Sequence, residues 1–283
     1  LKTKDRKERI MTQRLVTIAG SDSLAGGGIQ ADLATFTEYG YQGVSVLTSI
    51  VTVLGDDFNI YPVDQSVLAE QLMSVFSLDD IAGVKTGLIP NQEHFEMITD
   101  YLNTHVLGKM PIIVDPVMVV KESDAWDISE IVTLFKTRLL PLATVITPNL
   151  SEAELLVGYE IQTTADMEKA AQELYDMGPE VVVIKGGARL SGQSAIDIVF
   201  DGQELMMLEN QKLETEFNNG AGCTFSAAIT SNLSQHKQVF DSVADAKDFV
   251  YKGITYGVRL DAQQNLGNVW QSARRIKGDE HEN

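Results

Sequence analysis

Cysteine is nearly absent from this 283-residue chain: Cys223 stands alone. That rules out an intrachain disulfide and a cysteine-based zinc cluster, and it suits a reducing compartment. Positive charge is also scarce. Twenty-two lysines and arginines face 40 aspartates and glutamates, a formal net charge of −18 with a pI of about 4.5. Such a balance argues against nucleic acid or an anionic membrane surface as partner. No apolar run reaches the roughly 18 residues that a membrane span needs. Leu1 to Ile10 is charged and lacks a signal peptide's apolar core. The expectation is a cytoplasmic protein, with a disordered arm or vector-derived remnant over residues 1–11 and a disordered tail over 277–283. The four histidines lie on separate polar segments and form no convincing metal site. Neither G-x-x-x-x-G-K-[ST] nor G-x-S-x-G occurs, which sets aside P-loop and nucleophile-elbow enzymes.

Apolar residues, by contrast, make up 44% of the chain, ample for a core. The stretch around which the rest is organised is Asn218-Asn219-Gly220-Ala221-Gly222-Cys223-Thr224-Phe225. Phe225, Ile229 and Leu233 recur every four residues, one apolar stripe of a helix beginning near Cys223. A glycine-rich turn opening into a helix leaves unpaired N–H groups at the positive end of aligned peptide dipoles, which makes an anion site. Asn-Asn-Gly alone reads equally as a turn with a cap. Cys223 ties loop and thiol into one site, and the helix dipole is expected to lower its pKa.

Leu15 to Ala19 predicts a buried strand, followed by a glycine-rich loop and a helix with Ile29, Leu33 and Phe36 on one face. Gly26, Gly28 and Ala31 match a dinucleotide fingerprint only formally, since several residues separate them from the strand end. Further strands are predicted over 43–53, 83–88, 111–118, 144–147 and 181–187, with a hairpin over 194–208 turning at Asp201-Gly202. Helices are expected over 67–76, 92–103, 129–140, 164–177 and 241–259, and a mobile flap over 119–127. Asp115 arrives at the carboxyl end of its strand, where ligands gather in open parallel sheets. Asn149 and Glu152, three apart after Pro148, either meet as a site at a helix start or form a capping box. Alternating strands and helices indicate one α/β domain over 12–276, a mainly parallel sheet covered on both faces.

Seven ordered segments resemble the ribokinase-like vitamin kinases, in the branch acting on pyridoxal or hydroxymethylpyrimidine. They are Ala19-Gly20-Ser21-Asp22, Gln30-Ala31-Asp32-Leu33, Val84-Lys85-Thr86-Gly87, Val114-Asp115-Pro116-Val117-Met118, Ile146-Thr147-Pro148-Asn149-Leu150, Ile184-Lys185-Gly186-Gly187 and Gly220-Ala221-Gly222-Cys223-Thr224. The resemblance runs from Leu15 to Arg259. It implies a ribokinase-like fold, transfer of the γ-phosphoryl of ATP with Mg²⁺ to a hydroxymethyl on a small heteroaromatic ring, and a homodimer. It assigns the general base to Cys223 and the phosphoryl cradle to Gly220, Ala221 and Gly222. Lys185, Gly186, Thr147, Asn149 and Asp115 would meet the nucleotide, and Glu152 and Asp115 the metal. Gly20, Asp32, Val51, Val53 and Leu88 would line the vitamin pocket.

Hydroxymethylpyrimidine kinases carry a glutamine at the position of Val53, whereas pyridoxal kinases of this branch have an apolar residue there. Valine cannot pair the aminopyrimidine edge, and an amino group left unpaired costs about 1–3 kcal/mol. Pyridoxal or pyridoxine is therefore the expected substrate. The alternatives are a hydroxymethylpyrimidine or phosphomethylpyrimidine kinase of thiamine synthesis, and a catalytically weakened vitamin-binding protein. Two departures bear on that last reading. Val120 replaces a cysteine common in the lid, and Asn219 replaces the histidine usual before the glycine loop.

Overall fold

Leu15-Val16-Thr17-Ile18-Ala19 has no surface-exposed member and forms the middle of a strand, β1 (Arg14–Asp22). The structure, a computed structural model, describes residues 12–55, 57–118, 127–261 and 266–276. The residues expected to be arm and tail lie outside it, as does the expected flap except for Asp127.

From β1 the chain passes through α1 (Gly28–Glu38), β2 (Gln42–Leu54), β3 (Asp57–Pro62), α2 (Gln65–Phe76), β4 (Ile81–Thr86), α3 (Gln92–His105) and β5 (Ile112–Val114). Then come α4 (Ile128–Leu134), β6 (Val145–Ile146), α5 (Leu150–Val157), α6 (Thr164–Tyr175), β7 (Val181–Lys185), β8 (Ser194–Phe200) and β9 (Leu205–Gln211). Last are α7 (Ala221–Leu233), α8 (Val239–Thr255), β10 (Val258–Asp261) and β11 (Leu266–Asn268). Among the described residues one sheet runs β3-β2-β1-β4-β5-β6-β7-β8-β9. β2, β1, β4, β5, β6 and β7 pair in parallel, while β3, β8 and β9 are added antiparallel to their neighbours.

Side-chain alternation divides the core in two. Val16, Ile18, Val84, Val114, Ile146 and Ile184 face the helices α2, α3, α5 and α6. Leu15, Ile113, Val145 and Val183 face α1, α7 and α8. The mainly parallel, doubly covered architecture read from the sequence is the one observed.

Several boundaries differ from expectation for local reasons. The helix expected over 129–140 is α4 only to Leu134, then a π-helical turn over Phe135–Leu139 and a 3-10 turn over Leu140–Leu142. Pro141 supplies no N–H for an i→i−4 bond, so the helix cannot run on unchanged. The final helix stops at Thr255 rather than Arg259, and Arg259 lies in β10, paired antiparallel with β11. Gly257 leaves no room for a side chain: a Cβ there would stand 2.6 Å from the Phe217 Cβ. The edge strand β3 was not anticipated. Its sequence, Asp57-Phe58-Asn59-Ile60-Tyr61-Pro62, alternates only briefly and ends in proline.

Candidate active site

The carboxyl ends of β1, β4, β5, β6 and β7 lie side by side, and Asp115, Thr147, Asn149 and Lys185 stand there. Asp115 follows β5 directly and is buried. Lys185, the last residue of β7, donates from Nζ to its Oδ1 at 3.0 Å. Thr147, just past β6, donates to the same oxygen at 3.1 Å, and Ser226 on α7 donates to Oδ2 at 3.2 Å. Burial works against ionisation of Asp115. Lys185 and Lys85, with hydrogen bonds from Lys185 and Thr147, outweigh it and hold the carboxyl below its usual range.

Pro148 ends the β6 run, and the next two positions turn the chain into α5. The Asn149 side chain accepts from the Glu152 N–H at 2.9 Å, and Glu152 Oε2 accepts from the Asn149 N–H at 2.8 Å, a complete capping box. A backbone bridge joins Asn149 to Lys185, so the cap and the lysine are fixed to each other. Burial pushes the Glu152 carboxyl up to about 7 against the pull of Lys185, and Asp115 adds to the rise. The capping reading of this pair is the one observed, and the same carboxyl stands close to Lys185 and Asp115.

Gly220 caps α7 with φ of +82°, a left-handed backbone that glycine adopts without strain. A Cβ there would collide with the carbonyl oxygen of Gly26, so the two glycine-rich loops pack backbone to backbone. Two residues on, the Lys185 ammonium lies only 3.2 Å from where a Cβ of Gly222 would stand. The Ala221 N–H is taken by the Asn218 carbonyl at 3.0 Å, whereas Gly222 and Cys223 lie in the first turn of α7, whose N–H groups find no partner within the helix, and they stand beside a lysine, the donor arrangement an anion requires.

Cys223 is half-buried, and a Cβ on Gly27 would touch its sulfur at 3.7 Å. The Gly28 backbone N–H favours the thiolate. The expectation of a lowered thiol pKa is overturned. Burial pushes the thiol up to about 11, Lys85 only partly opposes it, and Asp32 and Asp115 push the same way. Removal from water and two nearby carboxylates outweigh the helix dipole.

Asp32 does not face open space. It is fully buried, with both oxygens 2.8 Å from the Lys85 Nζ and one accepting from Thr17 at 2.6 Å. The pair holds Lys85 charged, above its ordinary value despite burial. Asp32 thus underlies the expected pocket rather than lining it. Gly20 and Leu88 do come together: a Cβ on Gly20 would meet Leu88 Cδ2 at 3.3 Å and the buried Ser49 hydroxyl at 2.8 Å. Val51 is buried beside Asp22, its carbonyl bonded to the Ser23 N–H, and Val53 follows two residues along β2.

A cavity of about 490 Å³ opens on the other side of Lys185, lined by Asn149, Lys185, Gly186, Gly222, Phe225 and Tyr251 among others. Its volume falls in the roughly 300–1,000 Å³ range of small-molecule sites. The residue reading passed over Lys85, Ser226, Asp197 and Lys247. The first, third and fourth left a signal: each is a charge inside an otherwise apolar strand or helix stripe. Ser226 left none.

Residues 22–268 match the phosphomethylpyrimidine kinase family. The chain belongs to it. It is 36% identical over 267 residues to the pyridoxine kinase of Bacillus subtilis (strain 168), covering 93% of this chain and 97% of that one. It is 39% identical over 267 residues to the hydroxymethylpyrimidine/phosphomethylpyrimidine kinase of Rhizobium meliloti (strain 1021), covering 92% and 97%. Its fold superposes on the pyridoxal kinase from Staphylococcus aureus in complex with AMP-PCP and pyridoxal, with a TM-score of 0.86 and 35% identity, covering 94% of this chain and 96% of that one. The vitamin-kinase resemblance read from seven short segments therefore extends along nearly the whole chain.

Proposed function

We propose that this chain is an ATP- and Mg²⁺-dependent pyridoxal/pyridoxine kinase, phosphorylating the 5′-hydroxymethyl group of vitamin B6. Family membership supports the phosphotransfer to an alcohol. Overall similarity does not choose the vitamin, because the two relatives at 36% and 39% act on different rings by name. The observation that carries the choice is Val53, an apolar side chain on β2 two residues beyond buried Val51. It offers neither donor nor acceptor to an aminopyrimidine edge.

The donor set suits the cofactors. Among the described residues no three histidine, cysteine or carboxylate side chains gather to hold a metal. Asp115 and Glu152 are two, and Mg²⁺ is commonly held by one or two carboxylates together with water and phosphate. Crowding of those two carboxylates around one lysine is the condition that a divalent cation relieves. Mg²⁺ would supply neutralisation of phosphate charge there. The cavity beside Lys185 would take the nucleoside, with Asn149, Thr147, Gly186 and Lys185 toward the phosphates. Gly220, Ala221 and Gly222 would cradle the transferring group, with the Ala221 N–H already held by the Asn218 carbonyl, and positioning and charge neutralisation dominate the rate there. Cys223 would take the proton from the vitamin hydroxyl, and Gly20, Leu88, Val51 and Val53 would enclose the ring. The active form would be a homodimer, on the strength of the resemblance, and the single cysteine suits a cytoplasmic location.

ADP release measured with pyridoxal, pyridoxine and hydroxymethylpyrimidine side by side tests the reading. Preference for the B6 vitamers is expected. Preference for the pyrimidine would move the enzyme to thiamine synthesis, and vitamin binding without turnover would make Asn219 the first residue to replace with histidine.

A further inference from the structure

Lys247 sits on the buried stripe of α8, between Ala246 and Val250, where a long cation has no place in ordinary packing. Its ammonium donates to the Ala195 carbonyl at 3.0 Å and to Asp197 Oδ2 at 2.8 Å, with both side chains nine-tenths or more buried. The other oxygen of Asp197 accepts from the Gly186 N–H at 3.1 Å. That same N–H also donates to the Ile196 carbonyl at 2.9 Å, and a Cβ on Gly186 would collide with this oxygen. One ion pair thus connects α8, β8 and the backbone turn that begins at Lys185. Asp197 and Lys247 both line the 490 Å³ cavity.

We propose that Lys247 is a positioning residue of the nucleotide site, holding Asp197 and, through it, the Gly186 turn that sets the place of Lys185. The inference rests on the assignment of this cavity to the nucleotide. Two effects follow from the geometry. Lys247 neutralises a buried carboxylate that would otherwise face a polyphosphate across the cavity. It also fixes the acceptor that orients the Gly186 amide, one bond from the lysine that pairs with Asp115. Removing one member of a buried pair strands the other charge, whereas removing both costs far less.

Three variants of the full chain test this by steady-state kinetics, with pyridoxine affinity measured separately in the absence of nucleotide. Lys247→Met is expected to raise the KM for ATP by about tenfold or more, equivalent to 1.4 kcal/mol, with the pyridoxine dissociation constant unmoved. Adding Asp197→Asn to Lys247→Met is expected to bring the ATP KM part of the way back, because the stranded charge is gone. A purely structural role predicts that ATP and pyridoxine are bound more weakly together, in step with lost stability; that result, or a double variant whose ATP KM is no better than that of the single, overturns the proposal. If Lys247→Met fails to fold, Lys247→Arg and the double variant carry the same comparison. The Arg variant, which keeps the charge, should stay within about threefold of the parent KM, and a larger loss there with full rescue in the double variant would contradict it. Ile254→Trp, which fills the cavity, separates the two levels. If it leaves the ATP KM unchanged, the cavity is not the nucleotide site. If it raises that KM while Lys247→Met does not, only the role of Lys247 fails.

Discussion

Lys185 at the end of β7 and Asp115 just past β5 reach across the intervening β6 and meet at 3.0 Å, with the lysine also lying against Gly222 of the glycine loop. The contact places one cation among Asp115, Glu152 and the first turn of α7. Lys185→Met should lower kcat by about 10²–10³-fold, the usual loss for a donor aimed at developing charge. Lys185→Arg should not restore it, because the space over Gly222 is already tight around an ammonium. A rate for the Arg variant near that of the parent would show that charge alone, without this placement, is sufficient.

Cys223 is a thiol rather than a thiolate in the free protein. With the group pushed up to about 11, little thiolate exists in the free enzyme near neutrality. If it serves as general base, kcat/KM should climb with pH through the range from about 8 to 10, as the thiolate fraction grows. Cys223→Ala should flatten that climb and lower turnover by about 10²–10⁴-fold, while pyridoxal affinity changes little. A pH profile whose slope survives in the alanine variant would assign the proton to another group.

Glu152 links the site to stability. Its native pKa of about 7 stands above the ordinary 4.5. Between those values the folded state keeps a proton that the unfolded chain has released, so stability falls as pH rises through this window. Glu152→Gln retains a capping side chain and removes the buried charge. It should therefore raise the unfolding free energy of the ligand-free protein by about 1–3 kcal/mol near pH 8, and converge with the parent near pH 4. Urea titrations at the two pH values measure this. The same variant should need about 10–100-fold more Mg²⁺ for half-maximal rate.

Val53→Gln supplies the amide that an aminopyrimidine edge would pair with. The ratio of kcat/KM for hydroxymethylpyrimidine over pyridoxal should rise by about 5- to 150-fold, the equivalent of 1–3 kcal/mol. An unchanged ratio removes the substrate assignment made from this residue.

What could be read in the residues was what local chemistry decides. The Asn149–Glu152 box, the glycine turn before α7 and the delivery of Asp115 at a strand end all depend on neighbours within a few positions. Asp32 and Lys85 are 53 residues apart, so no spacing rule shows that they neutralise each other. The same limit explains the misjudged thiol. A helix start is visible in the sequence, but Asp32, Asp115 and Lys85 reach Cys223 only through the fold. Boundaries failed where two periods compete, as at Val258 to Asp261. Alternation and a continuing helix stripe look alike there until Gly257 is seen to be packed against Phe217.

The glycine loop is finished by chain that comes late. Asn219 donates its N–H to the Gly267 carbonyl at 3.2 Å and accepts from the Val269 N–H at 3.0 Å, while the Asn268 side chain donates to the Leu24 carbonyl at 2.9 Å. During synthesis, then, the first and last tenths of the described chain must both have left the ribosome before the loop acquires its shape. A nascent polypeptide stalled short of residue 267 owns every side chain assigned to catalysis but lacks the backbone partners that hold this loop.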